Sequence, residues 1–487
     1  MTENNTQKRY VGVKETLIYG IANGGQCIGY NLIRGQINIY LCYALGVEFK
    51  YVTLMMAIMT FWDAFNDPLM GSIVDKTRTR YGKLRPYLMF VPIPLGLMTV
   101  IFFGGATFLS GVDNAAVKTV YMFVTYFLWE FFYTIGDIPF WGLSAAISPN
   151  PEDRSRVIKS ARLISGIIGG IPGIIMVAFI DLQKSGVLPF SLATLFLVFG
   201  IIGGTIGMVL FSLAGFCTKE RVVPTNDEPG LLDCFRYLLK NKPLLLLTLS
   251  SLIGTIEGIG GNFTTYYYSF SLGIASLSLL AGLPGTVAGY STYAVMSKLE
   301  RRWSSKQIVT RISFIHAGVT VVVFLIGCKF YRNPGVIVPL LAIQGVSSSI
   351  SGSIKAVIPT KMIGETVDYM EWKTGERNEG MGFSILTFVG KLTGSLSTTI
   401  ATALMPVLGF VQQTGENGDV LWHLPEEGPV NTRFWMWGLV TCIPTVLGLL
   451  ALIPYKFYDL EGEKLETIQK EIVERREKAA LAVKEAE

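Results

Sequence analysis

Apolar residues in this chain gather into long runs separated by short polar stretches. A helix needs about 20 apolar residues to cross a hydrocarbon core. On that measure the runs predict about twelve helical spans, six in each half of the chain. The first six cover 13–45, 50–75, 87–110, 117–147, 157–181 and 189–216. The second six cover 243–271, 273–297, 307–330, 335–364, 379–409 and 431–458. The polar stretch from Cys217 to Lys242 carries Pro224, Pro229 and charges of both signs, and it reads as a linker. The pattern gives an N-terminal six-helix bundle over 1–216, a cytoplasmic linker over 217–242 and a C-terminal six-helix bundle over 243–458. The charged tail over 459–487 has a helical pattern and reads as solvated.

Composition sharpens the class. Half of the 487 residues are apolar and only 16% are charged, against about 25% charged residues in soluble domains. This is the composition of an all-α integral membrane protein. The polar stretch before residue 15 has no apolar core of the signal-peptide kind, so no cleaved leader is expected. The six cysteines (27, 42, 217, 234, 328 and 442) form no CxxC and read as small packing residues. The two histidines, His316 and His423, are far apart in sequence, which argues against a histidine metal site. The formal charge of +5 is spread over short loops and gives no reason to expect nucleic acid.

Loop charge orients the spans. Lys76, Arg78, Arg80, Lys83 and Arg85 follow the second span, and Lys298, Arg301, Arg302 and Lys306 follow the eighth. Arg154, Arg156 and Lys159 follow the fourth, whereas the loop before the last span is acidic (Glu416, Asp419, Glu426, Glu427). The excess of Lys and Arg on cytoplasmic loops then predicts that both termini are cytoplasmic in a plasma membrane. Paired glycines (Gly24-Gly25, Gly169-Gly170, Gly203-Gly204, Gly260-Gly261) predict close helix approach.

Ionisable residues at membrane depth mark function, because each is expensive to insert. The second span holds Asp63, Asn66 and Asp67, with the carboxylates one helical turn apart. The fourth holds Glu130, Thr134, Asp137 and Trp141 on one face, and Pro139 leaves the carbonyl of Ile135 without its usual donor. Asp63, Asn66, Asp67, Thr134 and Asp137 supply hard oxygen ligands suited to Na⁺, or a carboxylate for H⁺. The first span carries the polar stripe Tyr19, Asn23, Gln26, Tyr30 and Arg34, expected to line a central cavity, with interhelical hydrogen bonding as the alternative. Arg162, Glu257, Lys355 and Lys391 complete the set. Carboxylates exceed cations by one in this collection, a surplus that one bound monovalent cation cancels. Trp141 beside polar groups suits a sugar, whose C–H faces pack on aromatic rings, and equally suits a helix interface or the membrane boundary. The acid-rich stretch Gly364–Gly380 is expected to pair with the basic loops in one conformation and release them in another.

Trp62-Asp-Ala-Phe-Asn-Asp-Pro-Leu-Met-Gly71, Arg80-Tyr-Gly-Lys-Leu-Arg-Pro86, Asp137-Ile-Pro-Phe-Trp141 and Glu365-Thr-Val-Asp-Tyr369 resemble, in family order, the glycoside–pentoside–hexuronide:cation symporters. The resemblance spans about residues 10–460. It implies the major facilitator fold, with twelve transmembrane helices in two six-helix bundles, and sugar uptake coupled to Na⁺, Li⁺ or H⁺. It also implies cation coupling at Asp63 and Asp67, influence of Asn66 on cation choice, and sugar binding by Asp137, Trp141, Arg162 and Lys391. Departures are visible. Gln26 and Cys27 stand where the family's melibiose permease has a Lys-Asp pair, Ala356 replaces a sugar-site Trp, and Thr60 replaces an arginine. Galactosides are therefore doubtful substrates, and Arg34 with Lys355 favours an anionic sugar unless Glu130 and Glu257 neutralise them.

The sequence thus predicts a monomeric secondary symporter, not an enzyme, with a small sugar and the lipid bilayer as its partners. It predicts no cofactor beyond the coupling ion. The rival readings are a carrier of an amphiphile such as a lysolipid, which the polar first-span stripe opposes, and a sugar-binding receptor that does not transport. Paired carboxylates would also serve a membrane-embedded glycosidase, but the cation reading already accounts for them.

Overall fold

A computed structural model describes residues 9–148, 150–222, 231–375, 379–409, 411–414, 420–423 and 431–486. The side chain of Asp67, the acids of the loop before the last span and residues 376–378 of the acid-rich stretch lie outside the described set. The chain divides into two compact units, Met1–Asp227 with Val411–His423, and Glu228–Phe410 with Leu424–Glu487.

In the first unit, helix α1 (Val13–Asn38) runs on through a π-helical segment, Ile39–Ala44. It is followed by α2 (Phe49–Lys76), α3 (Arg85–Phe90), α4 (Pro92–Phe108), α5 (Ala115–Ala146) and α6 (Pro151–Lys184). Two further helices, α7 (Leu192–Ile202) and α8 (Met208–Cys217), are joined by a π turn at Gly203–Gly207. Helix α1 packs on α6 and α8 because its small residues remove the obstacle. A Cβ on Gly25 would lie 2.4 Å from the carbonyl of Gly207, and one on Gly169 would lie 2.5 Å from the Cβ of Cys27. Not every predicted glycine contact exists: beside Gly170 and Gly261 the space is open.

The second unit opens with α9 (Leu231–Lys240), a short helix within the stretch read as linker. Next come α10 (Lys242–Tyr266), α11 (Leu277–Glu300), α12 (Ser305–Gly327), α13 (Pro334–Thr374) and α14 (Glu379–Val407). The last span is broken into α15 (Thr432–Val440), α16 (Cys442–Gly448), a 3-10 turn and α17 (Ile453–Lys456). The tail forms α18 (Glu463–Ala486). Two features were not foreseen. Strands β1 (Val411–Thr414) and β2 (Val420–His423) pair antiparallel in the loop before the last span. Helix α13 also continues ten residues past its predicted end at 364, stopping where Gly375 takes φ +79°. The reason lies in α18. Ile468 and Ile472 pack with Met370, the Trp372 indole donates to Glu471 (2.6 Å), and Arg475 donates to the Trp372 carbonyl (2.8 Å).

Among the described residues, six helical segments are long and apolar enough to cross a membrane by composition alone: Arg156–Gln183, Leu192–Cys217, Lys242–Ser271, Ser305–Gly327, Pro334–Thr374 and Thr432–Lys456. Helix α1 is not in that set although it is 26 residues long. Its buried Thr16, Asn23, Gln26, Gln36 and Asn38 lower its hydropathy. Of these, Asn23 and Gln26 donate to groups on α6 and α5, partners that lipid would deny them.

Candidate functional site

Three helices of the first unit bring charge together. Arg34 on α1 places its Nη2 2.7 Å from Glu130 Oε1 on α5 and 3.8 Å from Asp63 Oδ2 on α2. The guanidinium also sits 5.7 Å from the Tyr30 ring centre and 6.0 Å from that of Tyr126, within cation–π range. Water barely reaches this trio: side-chain exposures are 20% for Arg34, 15% for Asp63 and 5% for Glu130. Among the described contacts, two carboxylates share one guanidinium, which leaves a surplus negative charge. Glu130 Oε2 and both amide atoms of Asn66 are buried and have no hydrogen-bond partner among the described residues. Buried polar atoms without partners are costly; a cation bound at Asn66, with its water reaching Glu130, would supply them.

Adjacent to this cluster, the Gln26 amide donates to Asp137 Oδ1 (2.9 Å). The Arg162 guanidinium lies 4.4 Å from the Trp141 ring centre, and Tyr30 packs on Tyr133 with ring centres 5.1 Å apart. Asp137 and Trp141 are half-buried and Arg162 is exposed, so a polar solute would meet a carboxylate, an indole face and a guanidinium on α5 and α6.

The polar stripe of α1 divides in two. Tyr19 is fully buried, its hydroxyl donating to the Phe140 carbonyl (2.6 Å) and its ring stacked on Phe140. The Asn23 amide donates to the Ala161 carbonyl (3.3 Å). These two polar groups serve helix packing. Gln26 and Arg34 instead reach the carboxylates of Asp137 and Glu130 on α5, and Tyr30 packs on Tyr133. Thr134 is buried on α5, one turn from Glu130.

In the second unit, Lys355 on α13 places Nζ 2.6 Å from Glu257 Oε2 on α10, and Glu257 Oε1 lies 3.8 Å from His316 Nε2 on α12. Both membrane cations suggested for an anionic sugar, Arg34 and Lys355, are thus paired with glutamates. Lys391 is exposed on α14. Sequence reasoning placed Glu257 and Lys355 among the ionisable residues at membrane depth and weighed His316 only as a metal ligand. The available signal was a lone ionisable residue in an apolar span. Among the described residues, no three His, Cys, Asp or Glu side chains are grouped to hold a metal ion.

Comparison with known proteins agrees with this arrangement of helices. The chain is 26% identical to YnaJ, an uncharacterized symporter of Bacillus subtilis (strain 168), over 93% of each protein. It is 24% identical to the glucuronide carrier protein homolog of Escherichia coli (strain K12), over 92% of this chain and 95% of that one. The crystal structure of the nucleoside transporter NupG matches with a TM-score of 0.57 at 13% identity, covering 92% of this chain and 99% of that one, a likeness of fold alone. The fold is that of the major facilitator transporters. The family model described as "MFS/sugar transport protein" matches residues 18–462, and the chain belongs to that family.

Proposed function

We propose that the protein is a symporter that imports a sugar (a glycoside, pentoside or hexuronide) with Na⁺ or H⁺ by alternating access. The observation that carries this reading is the water-poor cluster of Arg34, Asp63 and Glu130, whose net charge calls for one monovalent cation. Asp63, Asn66, Asp67 and Thr134 hold that cation, and Asp137 links it to the sugar through Gln26. The sugar rests on Trp141, with Arg162 and Tyr30 offering polar contacts. Each ligand raises the affinity for the other by the same factor, which is the thermodynamic content of coupling. A membrane potential of 100 mV contributes roughly 2.3 kcal/mol per charge, enough for on the order of fifty-fold accumulation at about 1.4 kcal/mol per decade. Both termini face the cytoplasm in this reading, because the basic loops do.

The test is uptake by proteoliposomes of labelled neutral glycosides, pentosides and glucuronides under an imposed Na⁺ or H⁺ gradient. Gradient-driven accumulation that is lost in Asp63→Asn and Asp67→Asn is expected. Failure of every sugar to accumulate under either gradient rules the reading out.

A further inference from the structure

Glu257 stands at the junction of two cavities within the second unit. The larger, about 630 Å³, is lined by Glu257 and Lys355 together with Thr255, Asn262, Ser313 and Tyr455, and it follows α10 toward Lys242. The smaller, about 190 Å³, is lined by Glu257 and His316 together with Thr264, Tyr268 and Gln344, and it follows α10 toward Tyr266. Lys355 borders only the first, and His316 only the second. The two carboxylate oxygens divide in the same way, Oε2 toward Lys355 and Oε1 toward His316. Gly448 on α16 makes room for this side chain, since a Cβ there would lie 3.1 Å from the Cβ of Glu257.

From this arrangement we propose that Glu257 is a proton-binding site whose protonation frees the Lys355 ammonium to hold the carboxylate of an acidic sugar in the larger cavity. The proposal rests on the sugar-symport reading and names both a second coupling ion and a substrate class. A purely structural ion pair needs neither a histidine on its far side nor a cavity at each end.

The step balances. A proton reaching His316 Nε2 from the smaller cavity passes to Glu257 Oε1, across a 3.8 Å gap that a small side-chain shift or one water closes. The histidine ring is held by its Nδ1 contact with Ser347 Oγ (3.1 Å), which orients Nε2 toward the carboxylate. Glu257 becomes neutral, Lys355 loses its counter-ion, and the sugar carboxylate replaces it. The Thr255 and Ser313 hydroxyls, which have no hydrogen-bond partner among the described residues, stand on the wall of the same cavity for the sugar ring. When the sugar leaves, Glu257 returns its proton to water in the larger cavity and pairs again with Lys355. Proton and anion enter together, so this step alone moves no net charge. Among the described residues, the other titratable groups on these cavity walls are Tyr455 on α17 and Tyr268 after α10. The walls supplied by α11, α14 and α16 offer Ser278, Thr393, Ser397 and Thr445, which carry no charge.

The full-length protein in proteoliposomes, with a pH dye trapped inside and labelled glucuronide and xyloside as probes, tests the proposal. External glucuronide is expected to acidify the lumen, and xyloside to do so far less. In Glu257→Gln, acidification by glucuronide is lost and glucuronide exchange no longer depends on pH. His316→Gln slows acidification, and Lys355→Met loses glucuronide transport in preference to xyloside. Wild-type glucuronide uptake without acidification overturns the proposal, as does a Glu257→Gln protein that still acidifies. If Glu257→Gln does not fold, an unchanged acidification rate in His316→Gln overturns it. Transport of xyloside alone defeats this proposal while leaving sugar symport standing. If neither sugar moves, the acidic-sugar proposal falls, and symport falls with it only if the remaining glycosides and pentosides also fail to accumulate. Infrared difference spectra on pH change decide about Glu257, since a protonated-carboxyl signal that is undiminished in Glu257→Gln refutes its protonation.

Discussion

Replacing Glu130 by Gln probes the cation site without touching a residue assigned to ligate the ion. At an effective dielectric constant of about 20, Arg34 and Glu130 at 2.7 Å attract by roughly 6 kcal/mol, and Arg34 and Asp63 at 3.8 Å by roughly 4 kcal/mol. Removing the first charge lets Arg34 close on Asp63. If that pair also reached 2.7 Å, it would gain about 2 kcal/mol, leaving a net loss of about 4 kcal/mol. That loss lies within the range of about 3–5 kcal/mol typical of breaking a buried pair. The functional effect follows from the gain. Asp63 held more tightly by Arg34 is withdrawn from the cation, and about 2 kcal/mol corresponds to an apparent cation affinity weaker by on the order of tenfold or more. The assay is initial uptake of the best-transported sugar against Na⁺ or H⁺ concentration. Arg34→Gln combined with Glu130→Gln removes the competitor together with its partner, so the double variant is expected to bind cation better than Glu130→Gln alone. A Glu130→Gln protein with unaltered cation dependence, or a double variant no better than the single, refutes the reasoning.

Four other outcomes are expected. Trp141→Ala removes the ring beneath Arg162 (4.4 Å), a cation–π contact of about 0.5–2 kcal/mol, and should weaken apparent sugar affinity more than cation affinity in uptake titrations. Gly25→Ala forces a Cβ to 2.4 Å from the Gly207 carbonyl, so thermal unfolding in detergent should show a destabilisation of about 1–3 kcal/mol or more. Glu220→Ala takes away the carboxylate that accepts from the backbone N–H groups of Lys83, Leu84 and Arg85 (2.9, 2.9 and 2.8 Å). The basic loop after α2 should then become more open to protease, at a cost of about 1–3 kcal/mol. Burial alone would raise the Asp153 carboxyl, but the N–H groups of Tyr10 and Val11, the Ser148 hydroxyl and Arg156 outweigh it and hold Asp153 below the usual carboxylate range. A lowered folded value means its stabilisation is complete above the unfolded value of about 3.9 and is lost as pH falls through the lower folded value. The Asp153→Asn protein should therefore be less stable near neutral pH and should lose less stability than wild type on acidification below about pH 4, as read by thermal unfolding across pH.

How much of this was legible beforehand differs by level. Apolar run length gave the spans, because helix length in a membrane is set by hydrocarbon thickness. Ends were misread where a tertiary partner extends a helix through polar residues, as at α13. There the acid-rich stretch after 364 stays helical because α18 covers Met370 and Trp372. The strands β1 and β2 were missed because Val411–Thr414 and Val420–His423 are four residues each, too short for a period to register against the apolar spans around them.

At the site, the sequence by itself determined which side chains are costly in a membrane and therefore have work to do: Arg34, Asp63, Glu130, Asp137, Glu257 and Lys355 stand out by charge in apolar runs. It could not say which cation meets which carboxylate, since those partners lie on different helices and dozens of residues apart. Packing decided that Arg34 takes Glu130 and lies near Asp63, that Gln26 takes Asp137, and that Tyr19 and Asn23 serve α1 packing. Packing also put His316 behind Glu257, between two cavities. Hydropathy and helical periodicity are local properties of the chain. Charge pairing depends on distances of a few ångströms between helices, and only the folded units set those distances.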